Sequence, residues 1–256
     1  MTAALRAEWT KLRTLASTGW LLIGAVILTI GLSAAVADST HVTSGSGQDP
    51  TKLSLTGIYL GQTVIAVLAV LAISEEYGSG MIRLTLSAIP RRLILLAAKT
   101  ANVAGLAFVA GLLAVAGCLL AGRLMLPAAG LAPAHGYALV SISHGATLRA
   151  AVGSVLYLVL IALLSLGVAT AIRDTAVSIG AVLGLLYLPP ILVQAVTDPL
   201  RRHLQQIAPM TAGLAIQATT NLRSLPIAPW TGLGVLAAWA VASLLVGGLL
   251  LRLRDA

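Results

Sequence analysis

Charged residues are scarce in this sequence of 256 residues, where Asp, Glu, Lys and Arg together make up only 9%. Soluble globular domains contain about a quarter charged residues, so a chain of this length lacks the charges that cover a water-facing surface. Hydrophobic residues make up 58% of the sequence, and the mean hydropathy is +0.98. This composition excludes an ordinary soluble domain and indicates an integral membrane protein.

Cysteine and aromatic residues are also rare. Cys118 is the only cysteine, which excludes an intramolecular disulfide and a thiolate metal cluster. We expect it to be a small packing residue, because it lies inside an apolar run. Aromatic residues make up 4% and interleave with no basic block. The net charge of +8 therefore indicates basic residues at membrane borders rather than a nucleic-acid partner.

Motifs for catalysis and for metal binding are missing. The sequence contains no Gly-Lys pair, and therefore no P-loop for ATP phosphates, and no His-Glu-x-x-His motif. The four histidines and all eight acidic residues fall in loops or at the ends of apolar runs, whereas an ion-coupled carrier usually has an ionisable residue near mid-membrane. We therefore expect no enzyme activity, cofactor or metal in this chain, and an energy source on a partner.

Six apolar runs are long enough to cross the bilayer core, which takes about 20 helical residues. They predict an all-α integral membrane protein with a single transmembrane domain over residues 1–256. The predicted spans cover about residues 19–36, 53–74, 95–121, 150–172, 176–196 and 230–251. Lys99, near the start of the third span, is expected to snorkel to the headgroups. The first run ends like a signal-peptidase site, but its length favours an uncleaved anchor.

Residues 1–18 precede the first span and are not apolar enough to cross the membrane. On a helix, Leu5, Trp9 and Leu12 fall on one apolar stripe, and Lys11 and Arg13 lie off it. This pattern predicts a helix lying in the membrane interface, with Trp9 at headgroup depth. A frayed polar tail is the alternative.

The fifth span and the loop after it contain two unusual features. Pro189 and Pro190 must free backbone carbonyls and kink the fifth span, either as a static bend or as a gating hinge. In the loop over 197–229, the stretch Met210 to Ile216 is too short to cross the bilayer. It is a candidate re-entrant segment, provided that protein buries its backbone.

Small and polar residues inside the spans indicate helix contacts. The pairs Gly57/Gly61 and Gly180/Gly184 allow helices to pack closely, either within one bundle or at a dimer seam. Gln62 either lines a cavity or bonds to a neighbouring helix.

The distribution of basic residues predicts the orientation. Six spans place both termini on one side, which holds nine of the 16 basic residues, against six on the other side and Lys99 at the border. The first span has three basic residues before it and one after it. The positive-inside rule therefore predicts a multi-pass protein of the inner (plasma) membrane with both termini in the cytoplasm.

The sharpest motif follows the second span. It runs from Glu76-Tyr77-Gly78-Ser79-Gly80 to Arg83 and Leu86, and continues with Pro90-Arg91-Arg92 and Ala98-Lys99. Together with the N-terminal amphipathic segment and the six-span layout, it resembles permease subunits of type-2 ABC exporters, particularly bacterial ones encoded beside a separate ATPase.

The resemblance implies a transport subunit without its own ATPase site. Two such permeases, as a homo- or heterodimer among membrane lipids, would form the translocation pathway. Two cytoplasmic ATPase subunits would bind below them and hold the ATP and Mg. Residues 1–18 would match the family's elbow helix, the loop after the fifth span would hold its short re-entrant helices, and the stretch after the second span would match its coupling helix.

The predicted coupling segment offers anchors for docking to an ATPase. It contains acidic acceptors, arginine donors, apolar contacts, a flexible glycine exit from the span and a helix-stopping proline. These residues are Glu75, Glu76, Tyr77, Gly80, Arg83, Leu86, Pro90, Arg91 and Arg92. A solvated loop with positive-inside arginines is the alternative. For the whole chain, the alternatives are a stand-alone secondary carrier or channel and a non-transport membrane anchor or assembly protein.

Overall fold

The computed structural model describes residue 6 and residues 9–10, 16–40, 48–78, 92–131, 140–141 and 143–253. These residues form α-helices, short 3₁₀ turns and connecting loops, with no β-strand among them. The helices are α1 (Ala16–Ser39), α2 (Pro50–Ser54), α3 (Ile58–Gly78), α4 (Arg92–Met125), α5 (Gly145–Ile172), α6 (Thr175–Ala195), α7 (Leu200–Ile207), α8 (Pro209–Leu214) and α9 (Pro229–Leu253).

Six of these helices, α1, α3, α4, α5, α6 and α9, are long and apolar enough to cross a membrane. The predicted all-α integral membrane fold is therefore confirmed. The second spanning helix begins at Ile58 instead of Leu53, because Pro50 starts the separate short helix α2 and a turn intervenes. Helix α4 has 34 residues and is about 51 Å long. It extends beyond the predicted span, 95–121, at both ends. It is also longer than the bilayer core, which is about 30 Å thick.

Helix α5 lies at the centre of the bundle and packs on α3, α4, α6 and α9. Its closest neighbour is α9, which approaches through glycines on both helices. A Cβ added at Gly167 would lie 2.6 Å from the Leu244 amide nitrogen, and one at Gly247 would lie 2.7 Å from the Gly167 carbonyl oxygen. A side chain at either position would force the two helices apart.

The two small-residue pairs have different surroundings. Gly57 and Gly61 pack against α1, where a Cβ on Gly57 would lie 1.8 Å from the Thr29 carbonyl oxygen. The Gly57 amide also donates to Ser33 Oγ at 2.9 Å. A Cβ added at Gly180 would meet nothing within 4 Å, and one at Gly184 would meet only Leu188 Cδ1 of the same helix, at 3.6 Å. The first pair therefore serves packing inside the bundle, whereas the second pair lies on an outward-facing part of α6.

The ends of the helices define two faces of the bundle. The terminal face contains the end of α3, the start of α4, the turn between α5 and α6, and the end of α9. The loop face, opposite, contains α2, the start of α5 and the chain between α8 and α9. This arrangement follows from spans that alternate in direction, and it brings the flanks of the predicted coupling segment to the terminal face.

Candidate functional site

The predicted coupling segment begins at the last turn of α3. Helix α3 continues past the predicted end of the second span, through Glu75, Glu76 and Tyr77, and ends at Gly78, a poor helix former. Glu75 is exposed and Tyr77 is half-buried. Arg92 is the first residue of α4. The remaining residues of the prediction lie outside the described part of the chain: Gly80, Arg83, Leu86, Pro90 and Arg91.

The predicted interfacial helix is described at only one of its five residues. Trp9 is helical and 46% exposed, and its position at headgroup depth stays a prediction. The other four lie outside the described residues: Leu5, Lys11, Leu12 and Arg13.

Arg173 connects the end of α3 to two other parts of the terminal face. Its guanidinium carbon lies 5.4 Å from the centroid of the Tyr77 ring, which is cation–π distance. Its Nη2 donates to the Leu250 carbonyl oxygen of α9 at 3.4 Å. This carbonyl is one of the last four of α9, and the last four carbonyls of a helix have no hydrogen-bond donor within the helix. The helix dipole also favours a cation at this end.

The backbone around Arg173 holds the side chain in this position. Arg173 ends α5 in a left-handed conformation, with φ at 68°, and its amide donates to the Ala169 carbonyl oxygen at 3.0 Å. The next residue, Asp174, caps α6 by accepting a hydrogen bond from the Val177 amide at 2.8 Å. The turn between α5 and α6 is therefore only two residues long and is bonded at both sides. The sequence indicates a tight polar turn here but not its partners.

Lys99 provides a second connection to the end of α3, and the prediction for it was wrong. It does not reach out to the headgroups: the residue is only 2% exposed, and its Nζ donates to the Ala72 carbonyl oxygen of α3 at 3.1 Å. Because α4 already begins at Arg92, Lys99 lies two turns inside the helix and faces α3.

These contacts make the end of α3 a junction. Lys99 attaches it to α4, and Arg173 attaches it both to the α5–α6 turn and to α9. A displacement of the last turn of α3 would therefore act on all of these helices. No group of three His, Cys, Asp or Glu side chains in the described part of the chain is placed to hold a metal ion.

Asp49 organises the loop face. Its carboxylate caps α2 by accepting from the Lys52 amide at 3.1 Å, and it also accepts from Thr219 Oγ1 at 2.6 Å. The backbone amides of Thr219 and Thr220 donate to its other oxygen at 2.5 and 3.0 Å. Nearby, Arg149 Nη2 donates to the Ala218 carbonyl oxygen at 2.5 Å. No local sequence pattern predicts this site, because its two halves are far apart in the chain.

The candidate re-entrant segment lies inside the bundle. Helix α7 is exposed, but every residue of α8 except Thr211 is buried, and the following 3₁₀ turn buries Ile216 and Gln217. The segment packs on α5 and α9, with Gly213 against the Tyr157 ring. The chain then returns to Asp49 at Thr219. Protein thus covers this segment, which is the condition that the re-entrant prediction set.

A buried polar cluster joins α3 to this segment and to α6. Gln62 Nε2 donates to Tyr187 Oη at 3.0 Å and contacts Met210 Sδ at 3.4 Å, and Tyr157 Oη donates to Gln62 Oε1. Tyr187 Oη donates to the Tyr59 carbonyl oxygen at 2.5 Å. Gln62 therefore bonds to neighbouring helices, which was one of the two expectations for it.

The proline pair lies directly after the anchored part of α6. Tyr187 is tied to α3, and Pro189 and Pro190 follow it within a helix that continues to Ala195. Proline has no N–H, so the carbonyls of Leu185 and Leu186 lose their helical donors. The hinge at Pro189 and Pro190 stays a prediction.

Comparison with known proteins agrees with this layout. A sequence model described as ABC-2 family transporter protein matches residues 4–188, which is more than half of the chain. The match extends from the predicted interfacial helix, through the junction at the end of α3, to the residue before Pro189. Among curated proteins, no sequence matches the chain. The chain belongs to the ABC-2 transporter family and is a multi-pass membrane permease of an ABC transporter.

Proposed function

We propose that the chain is the permease subunit of an ATP-driven exporter and that it receives its power stroke at the end of α3. The observation that carries this proposal is the junction at Ala72 and Tyr77, where Lys99 and Arg173 attach neighbouring helices. The junction lies immediately before the segment that resembles a coupling helix. A partner that moves this segment would move the helices attached there.

In this proposal, separate cytoplasmic ATPase subunits dock on residues 75–92. They bind ATP and Mg²⁺, and the permease itself has no ATPase site. The terminal face is cytoplasmic, in agreement with the excess of basic residues on the side of the termini. Glu75 and Glu76 accept, and Arg83 donates, in the contacts with the ATPase.

The two faces have different tasks in the transport cycle. Closure of the ATPases pushes the end of α3, and Lys99 and Arg173 pass the displacement to α4 and α9. The loop face stays assembled, because Asp49 ties the chain after α8 to α2. Pro189 and Pro190 allow the outer part of α6 to bend while Tyr187 remains attached to α3.

A second copy of the permease, or a related chain, completes the translocation pathway. The apolar surfaces of α1 and α6 face outward: only 22% of the most apolar stretch of each is buried, against 61% for α5. The small residues at Gly180 and Gly184 allow a neighbouring helix to approach α6 closely.

The buried residue Lys99 gives little support to the alternative function of a stand-alone carrier. Lys99 is the only fully buried Lys, Arg, Asp or Glu among the residues that the structure describes. Its Nζ bonds to the Ala72 carbonyl oxygen, near the end of α3. If the chain were a membrane anchor or an assembly protein without transport, it would stimulate no ATP hydrolysis with any ATPase partner.

The test measures docking of the ATPase. The permease is co-purified with a P-loop ATPase encoded beside its gene, and ATP hydrolysis is measured in lipid. The double variant Glu76→Ala/Arg83→Ala should lose association with the ATPase and therefore the stimulated hydrolysis. Arg123→Gln, an exposed arginine at the other end of α4, is the control and should change neither. Unchanged association and turnover in the double variant would contradict the coupling assignment.

A further inference from the structure

An apolar groove opens toward the bilayer between α4 and α9. The first half of α4 and the last half of α9 border a space of about 690 Å³. Aliphatic side chains and small residues line it on both helices: Leu96, Ala101 and Ala104 on α4, and Leu245, Gly248 and Leu249 on α9. The groove is long and apolar, as an acyl chain requires.

One end of the groove is basic. Arg252 lines it where α9 ends, opposite Leu93 at the start of α4. Lys99 does not add to this end, because its Nζ bonds to α3.

We propose that this groove binds one anionic phospholipid, with an acyl chain between α4 and α9 and the phosphate at Arg252. Basic pockets between transmembrane helices on the cytoplasmic side are suited to anionic headgroups, and guanidinium groups bind phosphate strongly. A zwitterionic lipid with the same chains would fill the apolar part equally well, but its headgroup would carry no net charge toward Arg252. The groove is separate from the docking segment, so this proposal does not depend on the ATPase.

The bound lipid would brace the junction. It would fill the gap between α4, which carries Lys99, and the end of α9, whose Leu250 carbonyl accepts from Arg173. The lipid would thus support two of the helices through which displacement of α3 is passed on.

Binding is tested by native mass spectrometry of the purified permease in detergent. The protein is titrated with phosphatidylglycerol and, separately, with phosphatidylcholine of the same acyl chains. The wild-type protein should retain phosphatidylglycerol preferentially. Arg252→Gln should reduce that preference about fivefold, while Arg123→Gln should leave it unchanged.

The apolar part of the site is tested by filling it. Gly248→Leu places a side chain in the groove, where even a Cβ would lie 3.3 Å from Leu96 Cδ2. Gly234→Leu on the same helix is the matched control, because a Cβ there meets nothing within 4 Å. The exposed Ala101→Leu is a second filling variant, in case Gly248→Leu fails to fold. Both filling variants should lose bound phosphatidylglycerol, and the control should keep it.

Three results would overturn the proposal. The first is equal retention of the two lipids by the wild-type protein. The second is unchanged lipid binding in a filled groove. The third is a groove-filling variant that keeps its lipid but no longer appears as a dimer in the same spectra. That result would assign the groove to a second copy of the chain. All are binding measurements, so they succeed or fail independently of ATPase stimulation.

Discussion

On the loop face, the Asp49 carboxylate accepts four hydrogen bonds from described residues, at 2.5 to 3.1 Å. On the terminal face, Arg173 contacts an aromatic ring and a carbonyl oxygen at 3.4 Å. A hydrogen bond to a charged group contributes about 1.5–3 kcal/mol and a cation–π contact about 0.5–1 kcal/mol or more, so four bonds at Asp49 outweigh the one long hydrogen bond and the ring contact described for Arg173. Among these contacts, those of the loop face are therefore the stronger, and our proposal assigns the movement of helices to the terminal face, where the cost is lower.

The largest effect on stability is expected at the loop face. Asp49→Ala leaves several donors without their acceptor and should lower the free energy of unfolding in mild detergent by about 3 kcal/mol. Asp38→Ala, an exposed acid at the end of α1, should change it by less than about 0.5 kcal/mol. Thermal and denaturant unfolding of both variants check this, and equal losses would remove the contrast between the faces.

Arg173→Gln tests the terminal face at its main contact. It should lower the free energy of unfolding by only about 1 kcal/mol, yet it should abolish most of the ATPase stimulation by the permease, with association retained. Hydrolysis assays and co-purification of the same preparation give both readouts. If Arg173→Gln keeps the ATPase stimulation while Asp49→Ala abolishes it, the roles assigned to the two faces are reversed.

Lys99→Met tests whether a buried charge serves coupling more than stability. Methionine keeps most of the side-chain volume and removes a charge that burial disfavours, so the stability should change by less than about 1 kcal/mol. Stimulated hydrolysis should nevertheless fall, because α4 loses its bond to Ala72. Lys52→Met, an exposed lysine on the loop face, is the matched control. A stability loss as large as that of Asp49→Ala would show that Lys99 is mainly structural.

The smallest expected effect is at the helix that runs between the two faces. Pro189→Ala/Pro190→Ala restores the donors for the carbonyls of Leu185 and Leu186 and should stabilise the protein by about 0.5 kcal/mol. Transport turnover should decrease because α6 becomes stiffer. Leu188→Ala, at an exposed neighbouring position, controls for a local surface change. An unchanged turnover would indicate a static bend.

The helices of this fold were predictable from the sequence, but most of the contacts between them were not. Apolar runs indicate spanning helices because a bilayer leaves few alternatives. The side of α4 on which Lys99 lies depends on how α4 packs against α3, and hydropathy contains no information on that rotation. Asp49 and Thr219 are 170 residues apart in sequence, so no local pattern links them. Gly57 and Gly61 were recognisable because small residues four apart have a known packing role.

The most direct measurement is the side of the membrane on which residue 83 lies and whether the ATPase covers it. Arg83→Cys in a Cys118→Ala background is treated with a membrane-impermeant maleimide, with Asp38→Cys on the loop face as the reference. We expect position 83 to be labelled only in inverted vesicles and to be protected when the ATPase is bound. Position 38 should be labelled in intact cells. Labelling of position 83 from outside the cell, or equal labelling with and without the ATPase, would contradict it.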